Sequence, residues 1–128
     1  MENDKPKCEM SKRAKFTPSF KFWIEFEGKR VLGKGGAAIL EQIKKDGSIS
    51  GTAEKLCMSY RYVWNYLNEI RKIIGEPVVE TFKGGKSGGG GARLTELGEY
   101  LLNEYKRISG AMEKFVSSQK MGGEISED

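Results

Sequence analysis

Phe20, Phe22, Ile24 and Phe26 alternate with Lys21, Trp23, Glu25 and Glu27, a period of two that predicts a half-buried strand. Glu27-Gly28-Lys29 reads as a turn, and Arg30-Val31-Leu32 as a short returning strand. The period then lengthens. Ala37, Ala38, Ile39, Leu40 and Ile43 make a helical stripe that Gly47 stops. "SISGTAEKLCMS" predicts a short helix with Ser50 at its N-cap and Ala53, Leu56 and Cys57 facing inward. Ser59 can cap the next helix, in which Val63, Leu67, Ile70 and Ile74 recur at helical spacing until Gly75 ends it. Residues 77–82 are strand-like, a glycine-rich loop follows, and Ala92-Arg93-Leu94 is a second short strand. Thr95 then offers an N-cap to a last, long helix.

This order of elements predicts a mainly α chain with a small β component: a winged helix-turn-helix plus a long C-terminal dimerisation helix. The expected organisation is a flexible arm over 1–18, a winged helix-turn-helix DNA-binding domain over 19–94, the dimerisation helix over 95–117, and a disordered tail over 118–128. Within the last helix, Leu101, Tyr105, Ile108, Met112 and Phe115 recur at alternating steps of four and three, a heptad seam that predicts a homodimer. Leu97 and Leu102 lie beside that seam and can close the helix onto the winged domain.

The 128 residues suffice for one domain with a modest core. No apolar run approaches the roughly 18 residues of a membrane helix. The opening "MENDKPKCEMSKRAK" lacks the apolar segment of a secretion signal, so a cytoplasmic protein is expected. Cys8 and Cys57 are too few and too distant for a disulfide framework or a zinc site, and Cys57, in an apolar stretch, reads as a buried reduced thiol. The chain has no histidine, which removes the commonest general base and metal ligand. Cysteine-, carboxylate- and lysine-based chemistry stay open, but no cluster of such residues points to it, and no metal, cofactor or enzymatic activity is expected. A net charge of +4 is a mild basic bias that permits a nucleic-acid partner.

Two stretches imitate nucleotide sites. Gly85-Lys86-Ser87 looks like the end of a P-loop, but Glu80 stands where that motif needs its first glycine, and further glycines replace the required helix. Residues 33–38, Gly-Lys-Gly-Gly-Ala-Ala, fit a dinucleotide fingerprint, yet 48–58 reads as helix where a second parallel strand is needed. A tight strand-to-helix turn is the expected structure there.

The helix from Ser59 carries the more specific chemistry. With Val63, Leu67 and Ile70 turned inward, its opposite face presents Arg61, Asn65 and Asn68, with Tyr60 and Trp64 at the border and Trp64 leaning towards the core. Arginine can fork onto guanine and asparagine onto adenine in a major groove. Ser48 and Ser50, at the start of the preceding helix, can hold a phosphate. In the hairpin tip, glycines let backbone N–H groups turn outward, and Lys83, Lys86 and Arg93 supply charge for a DNA backbone.

"GSISGTAEKLCMSYRYVWNYLNEI" and then "VVETFKGGKSGGGGARLTELG" resemble the N-terminal DNA-binding domain of the ModE regulators, over roughly residues 20–116. The helix-turn-helix alone also resembles that of LysR-type regulators. The resemblance implies a homodimeric winged helix-turn-helix on palindromic double-stranded operator DNA. It puts Ser59, Tyr60, Arg61 and Asn65 in the recognition helix and Lys83, Lys86 and the glycines in the wing. Ser87 and Gly51 depart from the family pattern. ModE proteins carry C-terminal molybdate-binding modules; this chain ends at residue 128, and no molybdate response is expected of it. The alternatives are a winged-helix protein-interaction module without specific DNA binding and a small enzyme using the glycine loop for a nucleotide.

Overall fold

The computed structural model describes residues 12–83, 90–119 and 121. Residues 1–11 of the arm expected over 1–18, the wing tip at 84–89 with Lys86 and Ser87, and most of the acidic tail lie outside the described residues.

Strands β1 (Ile24–Phe26) and β2 (Lys29–Leu32) pair antiparallel, with Phe26 opposite Lys29. Glu27 (φ 50°) and Gly28 (φ 84°) both take positive φ, as a two-residue hairpin of type I′ requires. Exposure alternates as the period of two predicts from Phe20 to Ile24, but Phe26 is exposed. Helix α1 (Lys34–Asp46) ends at Gly47 in the left-handed region, with Lys44 and Lys45 in its last turn. Helix α2 (Ile49–Lys55) is capped by Ser48, whose Oγ accepts the Gly51 N–H at 2.9 Å. Ser50 therefore lies inside the helix rather than at its cap: α2 begins two residues earlier than expected, because Ser48 supplies the same cap chemistry sooner. Helix α3 (Tyr60–Ile74) is capped by Ser59 Oγ, which accepts the Tyr62 N–H at 3.0 Å, and closes on Gly75 (φ 93°).

The wing is the antiparallel pair β3 (Val79–Phe82) and β4 (Gly91–Leu94). Helix α4 (Glu96–Ser117) follows, its Gly98 N–H held by Thr95 Oγ1 at 3.1 Å. Both sheets are two-stranded and antiparallel, so among the described residues the dinucleotide-like stretch meets no parallel strand.

Among the described residues, those between 22 and 107 form one compact unit, and 12–21 together with 108–119 and 121 form a second. The first unit has one core. Ile39, Leu40 and Ile43 of α1, Val63, Leu67 and Ile70 of α3, Val78 before the wing, Ala92 and Leu94 of β4, and Leu101 and Leu102 of α4 are all buried in it. Gly98 brings α4 close to the wing base: a Cβ there would collide with the Val78 carbonyl. Thr95 reinforces the junction through N–H to Val78 O and Oγ1 to Pro77 O, both at 2.9 Å. Two exposed ion pairs join α1 to α4, Lys44–Glu99 at 3.1 Å and Lys106–Glu41 at 3.0 Å, and the Lys106 hydrogen bond lowers the Glu41 pKa. Such pairs contribute at most about 1 kcal/mol each, so the apolar core carries the assembly. In the second unit a helical turn at 12–14 and the chain to Phe20 line a groove with the last turns of α4.

Cys57 is exposed, against the expectation of a buried thiol. It occupies the turn between α2 and α3 at φ 58°. Around it the Met58 N–H bonds Ala53 O at 2.9 Å and the Cys57 N–H bonds Glu54 O at 3.2 Å, the two-bond helix ending that puts one residue in the left-handed region. Helical spacing cannot forecast the direction of a side chain that has left the helix. A β-carbon in this conformation costs about 1–2 kcal/mol. Cys57→Gly is therefore expected to stabilise the fold by about 1 kcal/mol. Thermal unfolding checks it: a lower Tm would show that the cysteine is not strained.

Candidate nucleic-acid interface

The orientation of α3 follows from its apolar positions. Val63, Leu67 and Ile70 are buried, while Tyr60, Arg61, Tyr62, Trp64 and Asn65 are exposed and Asn68 is half-buried. The predicted polar face thus reaches solvent as one surface. No ion pair among the described residues engages Arg61, so its guanidinium fork remains available. Trp64, expected to lean into the core, is 41% exposed. It directly follows Val63, and a helix turns about 100° per residue, which carries its ring past the edge of the buried stripe.

Tyr66 has a role the pattern reading did not assign. Its hydroxyl donates to the Val31 carbonyl at 2.9 Å, tying the middle of α3 to β2. Burial pushes its pKa well above the ordinary tyrosine value, so it stays a protonated donor. The same hydroxyl lies against Gly36, where a Cβ would collide with it. Packing therefore accounts for a glycine of the dinucleotide-like stretch. The signal was present in the sequence: Tyr66 is three residues after Val63 and four before Ile70, on the inward stripe.

At the wing, Lys83 is exposed at the end of β3. Arg93 is engaged inside the hairpin: its Nε donates to Glu80 Oε2 at 2.8 Å, and its guanidinium lies 4.9 Å from the Phe82 ring centroid. Ser48 and Ser50 flank the cleft between α2 and the wing, which Tyr60 and Lys83 also line. The wing therefore stands beside the N-terminal half of α3, and both offer polar groups to the same side.

The seam positions of α4 divide. Leu101 is buried in the core of its own chain, and Tyr105 stacks on Phe22 with ring centroids 4.7 Å apart. Ile108 and Met112 are half-buried and Phe115 is 62% exposed. Leu97 and Leu102 pack onto the core as expected. Among the described residues no group of three His, Cys, Asp or Glu side chains stands close enough to hold a metal, and no helix is long and apolar enough to cross a membrane.

The architecture defined by these elements is a winged helix-turn-helix with a long C-terminal helix. The crystal structure of BenM_DBD with catB site 1 DNA shares it, at a TM-score of 0.50 and 14% identity, over 71% of this chain and 94% of that one. In sequence, the chain is homologous to ModE regulators and Mop proteins. It is 39% identical over 83 residues to the transcriptional regulator ModE of Yersinia pestis, covering 65% of this chain. It is 37% identical over 95 residues to the molybdenum-pterin-binding protein MopB of Rhodobacter capsulatus, covering 74% of this chain. The matches span about a third of these relatives, 31% and 34% of their lengths. No family model matches the chain.

Tyr66→Phe is expected to leave the Val31 carbonyl without its donor and to cost about 1–2 kcal/mol of stability. Urea unfolding measures it; an unchanged midpoint would show that the hydroxyl does not hold α3 to β2.

Proposed function

We propose that this chain is a sequence-specific double-stranded-DNA-binding transcriptional regulator, with α3 as the recognition helix in the major groove and the glycine-rich wing on the backbone. One observation carries the reading: the uniform exposure of Tyr60, Arg61 and Asn65 opposite the buried Val63, Leu67 and Ile70. Arg61 and Asn65 then read base edges and Asn68 extends the same face, while Ser59 sets the start of the helix. Ser48, Ser50, Lys83, Lys86 and Arg93 serve the backbone, Arg93 after partial release from Glu80. The likeness to ModE regulators supports the same reading. A selection of bound sequences from a random duplex pool is the direct experiment, and recovery of no preferred sequence would refute base readout. On the selected site, Arg61→Ala is expected to cost about 1–3 kcal/mol and to relax preference at one base pair. Equal losses on selected and random DNA would assign Arg61 to the backbone instead.

The regulator acts as a homodimer on a palindromic operator, joined through α4. Ile108, Met112 and Phe115 continue the heptad seam beyond the two positions that the chain's own core and Phe22 occupy. Two recognition helices about 34 Å apart would read two half-sites. Ile108→Glu is expected to give a folded monomer with at least roughly tenfold weaker binding to a palindromic site. Sedimentation of the unaltered chain checks the premise, and a monomer of 14.3 kDa at micromolar concentration would remove it.

A further inference from the structure

A cleft of about 370 Å³ opens between α2, the first turns of α3 and the stem of the wing. Trp64 and Phe82 supply its apolar surface, and Ser50, Tyr60, Thr81 and Lys83 its polar groups. The two aromatics remain 41% and 42% exposed although a core lies close by. Phe82 is held in place from its own hairpin. It is the cross-strand partner of Gly91, where a Cβ would stand 2.5 Å from its ring. Arg93, itself bound by Glu80, lies over the ring. An aromatic fixed in the open is pre-organised for a flat or apolar partner, because no further ordering cost falls at the moment of contact.

We propose that this cleft seats one deoxyribose-phosphate unit of the DNA strand that runs between α3 and the wing. The inference rests on the DNA-binding reading above and specifies the chemistry of its backbone contact. The sugar packs against Trp64 and Phe82. The phosphate meets the Lys83 ammonium and the hydroxyls of Ser50, Tyr60 and Thr81. One cationic side chain with three hydroxyls suits a single phosphate, and the chain's net charge of +4 favours a polyanion. This seat is blind to base identity but sensitive to the sugar, since a 2′-hydroxyl pressed against the aromatic surface loses water without gaining a partner.

Trp23 and Trp64 are the two tryptophans, so Trp23→Phe leaves Trp64 as the reporter. That full-length variant is titrated with a labelled random-sequence duplex, following anisotropy and tryptophan emission together. Emission is expected to change in step with anisotropy. Trp64→Ala and Phe82→Ala should each weaken selected and random duplexes alike by about tenfold, the size of one lost apolar contact. Ser50→Glu, at an exposed position that a folded chain tolerates, should weaken both by at least as much. A duplex with a ribonucleotide at the seated position should bind less tightly than its all-deoxy counterpart. A deoxynucleoside monophosphate alone should leave the emission unchanged; a saturable response would assign the cleft to a free nucleotide and overturn the proposal. Saturating anisotropy with unchanged Trp64 emission, and with parental affinity in Trp64→Ala and Ser50→Glu, would overturn the cleft and leave DNA binding standing. A parent chain that binds no duplex would remove both.

Discussion

Val63, Leu67 and Ile70 lose nearly all contact with water in the core they share with Ile39, Leu40 and Ile43 of α1. Burying side chains of this kind contributes about 2 kcal/mol each, and that burial sets the rotation of α3 about its own axis. A helix turns about 100° per residue, so a slip of one position would bring buried groups to the surface and drive Arg61 or Asn65 inward. Tyr66 pins the same rotation with a directional bond to Val31 O. The surface that α3 presents is thus a consequence of what it hides.

The wing depends on the same core at one remove. Val78, Ala92 and Leu94 anchor the base of the hairpin, and Gly98 lets α4 press against the Val78 carbonyl. From that fixed base the strands lift Phe82 and Lys83 towards α3, while the Glu80–Arg93 pair braces the hairpin and sets the Arg93 guanidinium over the Phe82 ring. The exposed ion pairs between α1 and α4 add little to this. Apolar contact positions the elements, and polar contact refines them.

α4 serves two purposes along its length. Its first half is part of the winged domain through Leu97, Leu101 and Leu102, and Phe22 stacks on Tyr105. Its second half carries the half-buried Ile108 and Met112 and the open ring of Phe115. A heptad spacing runs through both halves, so spacing alone does not distinguish a residue that packs on its own chain from one left for another.

The elements themselves were legible in the chain because their causes are local. The hairpin turn at Glu27-Gly28, the stripe of α3, its Ser59 cap and Gly75 end, and the Thr95 start of α4 depend on residues within a turn or two of each other. Periodicity also separated the buried from the exposed face of α3, since one face of a regular helix follows from the other. Only the tertiary structure decided the rest. Ser48 rather than Ser50 caps α2, Cys57 turns outward at a left-handed backbone position, and Trp64 stays in the open. Likewise Arg93 is drawn to Glu80 and Phe82 across the wing, and Tyr105 to Phe22. The Cys57 turn depends on how a helix ends, and the Arg93 and Tyr105 contacts on partners far along the chain, and a period carries no information about either. The pattern of residues could say which face of α3 is polar; it took the packed fold to say which aromatic rings that face shares with the wing.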